Sequence, residues 1–429
     1  MPCPGRVMPR PIRFVHVTTF YPPYHFGGDG MYVYRLAHEL GDRGHFVDVV
    51  HCVDAYRLLA GGQAPAALPA HPNVTVHGLR SPFGWLSPLA SQQTGRPLFK
   101  RAALARVLDR PDAPVDVIHF HNTSLFGPDV LAMGRSDGRA IKLYTTHEHW
   151  LVCPTHVLWK YNARLCEKPT CISCTLAAGR PPQLWRYTSL LPRSARHVDR
   201  FLSPSAFTAR MHADRGFGHP IAHLPPFTAR SDGDWREPGP RPHARPYVLF
   251  VGRLERVKGI DTLVRAWDRA PDVDLLVAGD GSERGVVAAS SSRNPRVVAL
   301  GAVPPDRLGP FYAHALAVVV PSVVYEVAPT VVLEAFARKT PVIARDLGGA
   351  AELVREGGGG ECLYKDDGEL LELVRRLAAD ANLRQNLGNA GYRAFEEKWT
   401  REVHLAAYLA TIDEIAQRKL GDVPWQSPS

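Results

Sequence analysis

Ala315-Leu-Ala-Val-Val-Val-Pro-Ser-Val-Val-Tyr-Glu326-Val-Ala-Pro-Thr-Val-Val-Leu-Glu334 is the stretch from which the rest of the chain can be read. Its opening residues form an apolar run with strand character, and Val332, Leu333, Phe336 and Ala337 carry a helical spacing after it. Glu326 therefore falls on the turn behind a strand, and Glu334 inside a helix. Pro329 is tolerated in a first helical turn, where its missing N–H would have no partner anyway. The unpaired N–H groups of Thr330 and Val331 would face an anion held by the helix dipole. A phosphate-bearing ligand suits that geometry, with Glu334 about one turn deeper and within reach of ribose hydroxyls.

Working outward, strands alternate with helix-length segments on both sides of a turn-rich stretch. Ile12-Arg-Phe-Val-His-Val reads as a buried strand, Gly27-Gly28 precede a helix from Met31 to Leu40, and Phe46-Val-Asp-Val-Val-His-Cys is the next strand. That is a βαβ unit. Strand-like runs at Val74, Val115, Ile141 and Arg200 continue the series. Pro225 to Pro246, holding Ser231-Asp-Gly-Asp and Glu237-Pro-Gly-Pro, has the composition of a linker. A second series follows at Tyr247, Val273, Val297, Ala317 and Thr340. Arg401 to Lys419 is an amphipathic helix. Two open parallel sheets would place ligands at the carboxyl ends of their strands, in a cleft between them.

The chain has 429 residues, 45% hydrophobic and 22% charged, ordinary for a globular protein of two or three domains. No stretch approaches the ~20 apolar residues of a membrane helix, and the first residues lack the apolar centre of a signal peptide. The expected compartment is cytoplasmic. A formal charge of +9 leaves nucleic acid, an anionic membrane surface or phosphorylated ligands open. Scattered arginines argue against a nucleic-acid stripe, while peripheral contact with anionic lipid at the inner face of the membrane remains compatible.

Gly252-Arg-Leu-Glu-Arg-Val-Lys258-Gly259 ends a strand in glycine and sets Arg253 and Lys258 around the turn into a helix. Together they would neutralise a leaving diphosphate. Cys153, Cys166, Cys171 and Cys174 have the spacing C-x12-C-x4-C-x2-C. Four thiolates suit tetrahedral zinc, with His149 or His156 able to replace one sulfur; an iron–sulfur cluster, a redox pair and reduced packing thiols are the alternatives. His119 and His121 alternate on one strand and share a face, where packing or acceptor contact is favoured over a metal pair. Asp232/Asp234 and Asp272/Asp274 match Asp-x-Asp by chance on this reading, and no catalytic divalent metal is expected.

With Gly27-Gly28, Asp116-Val-Ile-His119-Phe-His121, Thr146-His147-Glu148, Gly252-Arg253, Lys258-Gly259, Ala278-Gly-Asp-Gly281 and the Glu326/Glu334 pair in this order, the chain resembles the retaining glycosyltransferases of family 4. The resemblance, over residues 12 to 415, implies the α/β GT-B fold: two Rossmann-like, doubly wound parallel-sheet domains facing a central cleft. The domains would be 1–225, with a Cys-rich insertion at 147–175, and 247–400, joined by a linker at 226–246; 401–429 would cross back to the first. It implies a nucleoside-diphosphate sugar, UDP or GDP first, as donor and a hydroxyl group as acceptor. Arg253 and Lys258 would hold the diphosphate, Gly28 would let backbone approach it, and Thr330 and Val331 would contact phosphate. Gly279, Leu300 and Gly301 would belong to the nucleotide site, Glu334 would bind ribose, and Glu326 and His147 would lie at the transferred sugar. Family members commonly have glycine after the first glutamate. Val327-Ala328 here would narrow the space beside the sugar. A zinc-containing nucleic-acid-binding protein and an inactive sugar-binding scaffold are the alternative functions.

Overall fold

A computed structural model describes residues 10–60, 67–134, 137–228, 239–269 and 272–426. Asp232 and Asp234, with the rest of 229–238 in the proline-rich stretch, lie outside these residues.

The first sheet takes β1 (Arg13–Val17), β2 (Phe46–Cys52), β3 (Val74–Leu79), β4 (Val117–Phe120) and β5 (Ile141–Thr145). A small antiparallel hairpin, β6 (Trp159–Lys160) and β7 (Arg164–Leu165), interrupts before β8 (Arg200–Ser203) and β9 (Ile221–His223). The sheet order is β3-β2-β1-β4-β5-β8-β9, all parallel. The second sheet holds β10 (Tyr247–Val251), β11 (Asp274–Ala278), β12 (Val297–Gly301), β13 (Val318–Val320), β14 (Val342–Arg345) and β15 (Leu363–Tyr364), in the order β12-β11-β10-β13-β14-β15. Near-continuous Val, Leu and Phe along β10, β11 and β13 follow from helices covering both faces. In each sheet the winding reverses beside the first strand, at β1/β4 and at β10/β13. Those switch points open crevices at the strand ends.

The helix Arg401–Leu420 packs its apolar face into the first domain, not the second. Leu405, Tyr408, Ile412, Ile415 and Ala416 share a core with Phe14, Val33, Leu36 and Val117. Thr400 caps its start through Val403 N–H, and Gly421 closes its end in the left-handed region. No helix among the described residues is long and apolar enough to cross a membrane.

Candidate active site

The two switch points face each other across a cavity of about 830 Å³. From the first domain come Gly28, at the start of the helix Gly28–Asp42, and His147, two residues beyond β5. From the second come Arg253 and Lys258 after β10, Glu326 after β13, and Thr330 and Val331 at the start of the helix Thr330–Phe336. Nothing lies within 4 Å of the place where a Cβ at Gly28 would stand, so this backbone is open to a ligand.

Lys258 Nζ donates to Glu326 Oε1 at 2.6 Å, and Ser322 Oγ donates to the same oxygen at 2.7 Å. Burial alone would raise the Glu326 carboxyl. The neighbouring ammonium and the Lys258 and Ser322 hydrogen bonds outweigh it and hold the group below the usual carboxylate range. Glu326 is thus an anion at neutral pH. Arg253 pairs with Glu255 and spans the cleft to the Phe26 carbonyl, 3.4 Å from Nη1. The turn carrying Glu326 rests on the helix Gly348–Glu356: Gly349 N–H donates to Glu326 O at 2.7 Å, and a Cβ on Gly349 would stand 1.8 Å from Val327 O. Glycine is required there by contact.

Gly279, Leu300, Gly301 and Glu334 do not line this cavity. Gly279 N–H donates to Gly301 O at 2.8 Å, and a Cβ on Gly279 would overlap Gly252 O, so that glycine joins the β10 and β12 ends. Glu334 accepts the Tyr312 hydroxyl at 2.7 Å on Oε2.

Behind His147 runs a file of imidazoles. His16 Nδ1 is 2.8 Å from His121 Nε2, and His121 Nδ1 is 2.9 Å from His147 Nε2. His119 bonds the Tyr408 hydroxyl at 2.9 Å and Thr145 Oγ1 at 2.8 Å. Burial depresses all of them, His16 and His147 to about 3, so they are neutral at physiological pH. Among the described residues, His16 Nε2 meets no hydrogen-bond partner. A bare lone pair there costs less than a stranded N–H, and that choice makes each ring donate toward the cleft and leaves the His147 proton on Nδ1. His16, His119 and His121 also bring three ring nitrogens within 4.8 Å of one another. All of their nitrogens except His16 Nε2 are already bonded as described, which favours the hydrogen-bonded file over a metal.

The expected thiolate site is not assembled. Cys153, Cys166, Cys171 and Cys174 are near enough to influence one another's ionisation. Among the described residues, however, no three of their sulfurs lie within 4.8 Å of one another. Zn–S bonds of about 2.3 Å would require sulfurs about 3.8 Å apart. Cys153 Sγ instead sits 3.3 Å from Thr155 Oγ1, Cys174 Sγ accepts the Tyr161 N–H at 3.4 Å, and burial pushes the Cys166 and Cys171 thiols up. Asp272 and Asp274 are ion-paired with Arg245, and Asp274 is also hydrogen-bonded to His243 Nε2 at 2.7 Å, at the starting edge of the sheet away from the cavity.

Three lining groups, Asp29, Asn122 and Glu148, were given no role by the sequence. Asp29 is raised to about 6, first by burial and then by Glu148, and takes a hydrogen bond from Asn122 Nδ2 at 3.1 Å. Glu148 bonds His156 Nδ1 at 2.5 Å. Asp29 and Glu148 each directly follow a residue singled out for the site, and that adjacency was the available signal.

Two parallel-sheet Rossmann-like domains around one cleft are the GT-B architecture. Two family models match the chain, Glycosyltransferase Family 4 over residues 26–232 and Glycosyl transferases group 1 over residues 231–394. Together the two models span residues 26–394, and both describe glycosyltransferases. It is 27% identical to the D-inositol 3-phosphate glycosyltransferase of Nocardia farcinica over 92% of this chain and 87% of that one. Curated relatives at 32–34% identity are matched over about half of their own length. Among solved structures, sucrose-phosphate synthase from Thermosynechococcus elongatus has a TM-score of 0.69 at 22% identity, covering 94% of this chain and 99% of that one. HepE from Anabaena, in complex with UDP, has a TM-score of 0.63 at 18% identity, covering 94% and 100%.

Proposed function

We propose that the chain transfers a sugar from a nucleoside-diphosphate donor, UDP- or GDP-linked first, to a hydroxyl acceptor with retention at the anomeric carbon. One observation carries the reading: Arg253, Lys258 and the ionised Glu326 stand on adjacent strand ends, facing Gly28 and His147 across a cavity of about 830 Å³. Bond cleavage puts positive charge on the sugar and negative charge on the leaving phosphate. Arg253 and Lys258 meet the second charge, and Glu326, as an anion, suits the first. Thr330 and Val331 N–H groups add donors for phosphate, Glu334 takes the ribose, and Gly279, Leu300 and Gly301 border the nucleotide.

His147 donates from Nδ1 to a hydroxyl of the transferred sugar. The departing phosphate accepts the acceptor's proton on the same face, so no covalent enzyme intermediate is needed. Domain closure would exclude water and limit donor hydrolysis.

The cysteine lobe enters no step. Stoichiometric zinc or iron in protein as purified would restore a metal site there, and its absence would leave four packing thiols. The nucleic-acid alternative rests on that cluster and on the basic charge, and predicts salt-sensitive binding to DNA or RNA with indifference to nucleotide sugars. Thermal-shift screening against UDP, GDP, ADP and TDP tests the donor reading; stabilisation by none of them would sink it.

A further inference from the structure

Large apolar side chains are exposed very unevenly. Among the described residues of the second domain up to Lys398, only Val286 is exposed in this way. On the first domain, Phe83, Trp85, Leu98, Phe99, Leu184 and Tyr187 are exposed, Trp85 by 58% and Tyr187 by 65%. They form one surface. The rings of Phe83 and Phe99 are 4.5 Å apart, the helix Leu86–Thr94 packs on the turns Leu98–Lys100 and Leu184–Tyr187, and Trp185 Nε1 donates to Gln92 O at 2.8 Å. A monomer rarely leaves such aromatic groups in water without a partner.

The charge around this surface has one sign. Residues 80–108 contain Arg80, Arg96, Lys100, Arg101 and Arg106 and no acidic residue; residues 168–198 contain Lys168, Arg180, Arg186, Arg193 and Arg196 and none either. Lys100 is neutralised by Asp54, Arg101 pairs with Asp129, and Arg186 is largely buried against Trp150 and Trp185, but Arg80, Arg96, Arg180, Arg193 and Arg196 are exposed. Aromatic and leucine side chains beside arginines, on two segments that themselves contain no carboxylate, match the boundary between headgroups and acyl chains of an anionic bilayer.

We propose that this face of the first domain docks on an anionic lipid surface. Leu89, Gln92, Arg180 and Gln183, from the same two segments, line the cavity, so docking brings the cleft mouth to the membrane. If the transferase reading holds, the acceptor hydroxyl is then carried by a lipid. Docking itself does not depend on that reading.

Flotation of the full chain with phosphatidylcholine vesicles, with and without phosphatidylglycerol, tests it with no donor or acceptor present. Binding to the anionic vesicles is expected at low ionic strength, with little to phosphatidylcholine alone and loss in high salt. Arg96→Glu with Arg193→Glu should weaken partition roughly 30-fold or more. Trp85→Ser with Phe99→Ser should lower it while leaving thermal stability and nucleotide-induced shifts unchanged. Failure of the wild-type chain to float with anionic vesicles, or wild-type binding by both variants, would overturn the proposal. So would a solution dimer that Trp85→Ser dissociates, since a second copy would then cover the face. Should the variants not fold, the salt- and headgroup-dependence of the wild type still decides.

Discussion

Lys258 and Glu326, on the loops after two neighbouring strands, meet at 2.6 Å, and the lysine accounts for the state of the carboxylate, which is largely buried yet charged because the ammonium is there. Lys258→Ala should cut turnover by roughly 10²–10³-fold and, by stranding a buried anion, destabilise the fold by about 3 kcal/mol. Lys258→Ala with Glu326→Gln should recover the melting temperature and not the turnover. Recovery of both would show the pair to be structural only.

Glu334 is held by the Tyr312 hydroxyl at 2.7 Å and lies outside the cavity lining. Glu334→Ala should weaken nucleotide binding by roughly 10- to 100-fold in calorimetric titration, as expected for losing a charged hydrogen bond. Turnover at saturating donor should move less. An unchanged Kd would remove Glu334 from the nucleotide site.

The contact between Gly349 and Val327 O predicts a steric lesion. Gly349→Ala should lower the melting temperature by several degrees and depress activity at least ten-fold, since overpacking costs about 1–3 kcal/mol and moves the Glu326 turn. Gly285→Ala is the control: it lies in the helix Arg284–Arg293 with nothing within 4 Å of its added Cβ, and should be neutral or slightly stabilising.

His121 stands between His16 and His147. His121→Phe should lower sugar transfer by roughly five- to ten-fold, the worth of one lost hydrogen bond, with nucleotide affinity unchanged. His121→Asn, whose amide can stand where Nδ1 stood, should retain more activity. Equal loss of nucleotide affinity in both would point to general disruption.

Acid should unfold the protein early. His16 and His147 have folded values near 3 and His404 near 4, against an ordinary 6.5, with His119 and His121 depressed in the same direction. The unfolded chain therefore binds more protons, and stability is complete above about pH 6.5 and is lost as pH falls toward 3. Each such histidine adds to the loss over that window. Asp29, raised to about 6, offsets part of the loss. Melting curves between pH 7.5 and pH 4.5 check the sign: a flat profile would contradict neutral burial.

Both sheets, the cleft and the Glu326 turn were legible because apolar runs, glycines and cations recur at strand ends with a fixed order. What was not legible depends on separation in sequence. The seat of Glu326 on Gly349 and the reach of Arg253 to Phe26 join segments that no local pattern connects. His119 and His121 could be put on one face by strand alternation, but His16 enters from β1 and the tautomer follows from its empty nitrogen. The cysteine spacing suggested zinc, and spacing does not fix the distances between sulfurs across a hairpin and a helix.

The helix Arg401–Leu420 completes the core of the first domain after the whole second domain has been made. During synthesis the N-terminal half must therefore wait, its apolar groove uncovered, until the last helix leaves the ribosome. For the same reason, exchanging donor specificity between such chains cannot be done with a single cut at the linker: the recombinant must return to the first parent before Arg401, so that Tyr408 again finds His119.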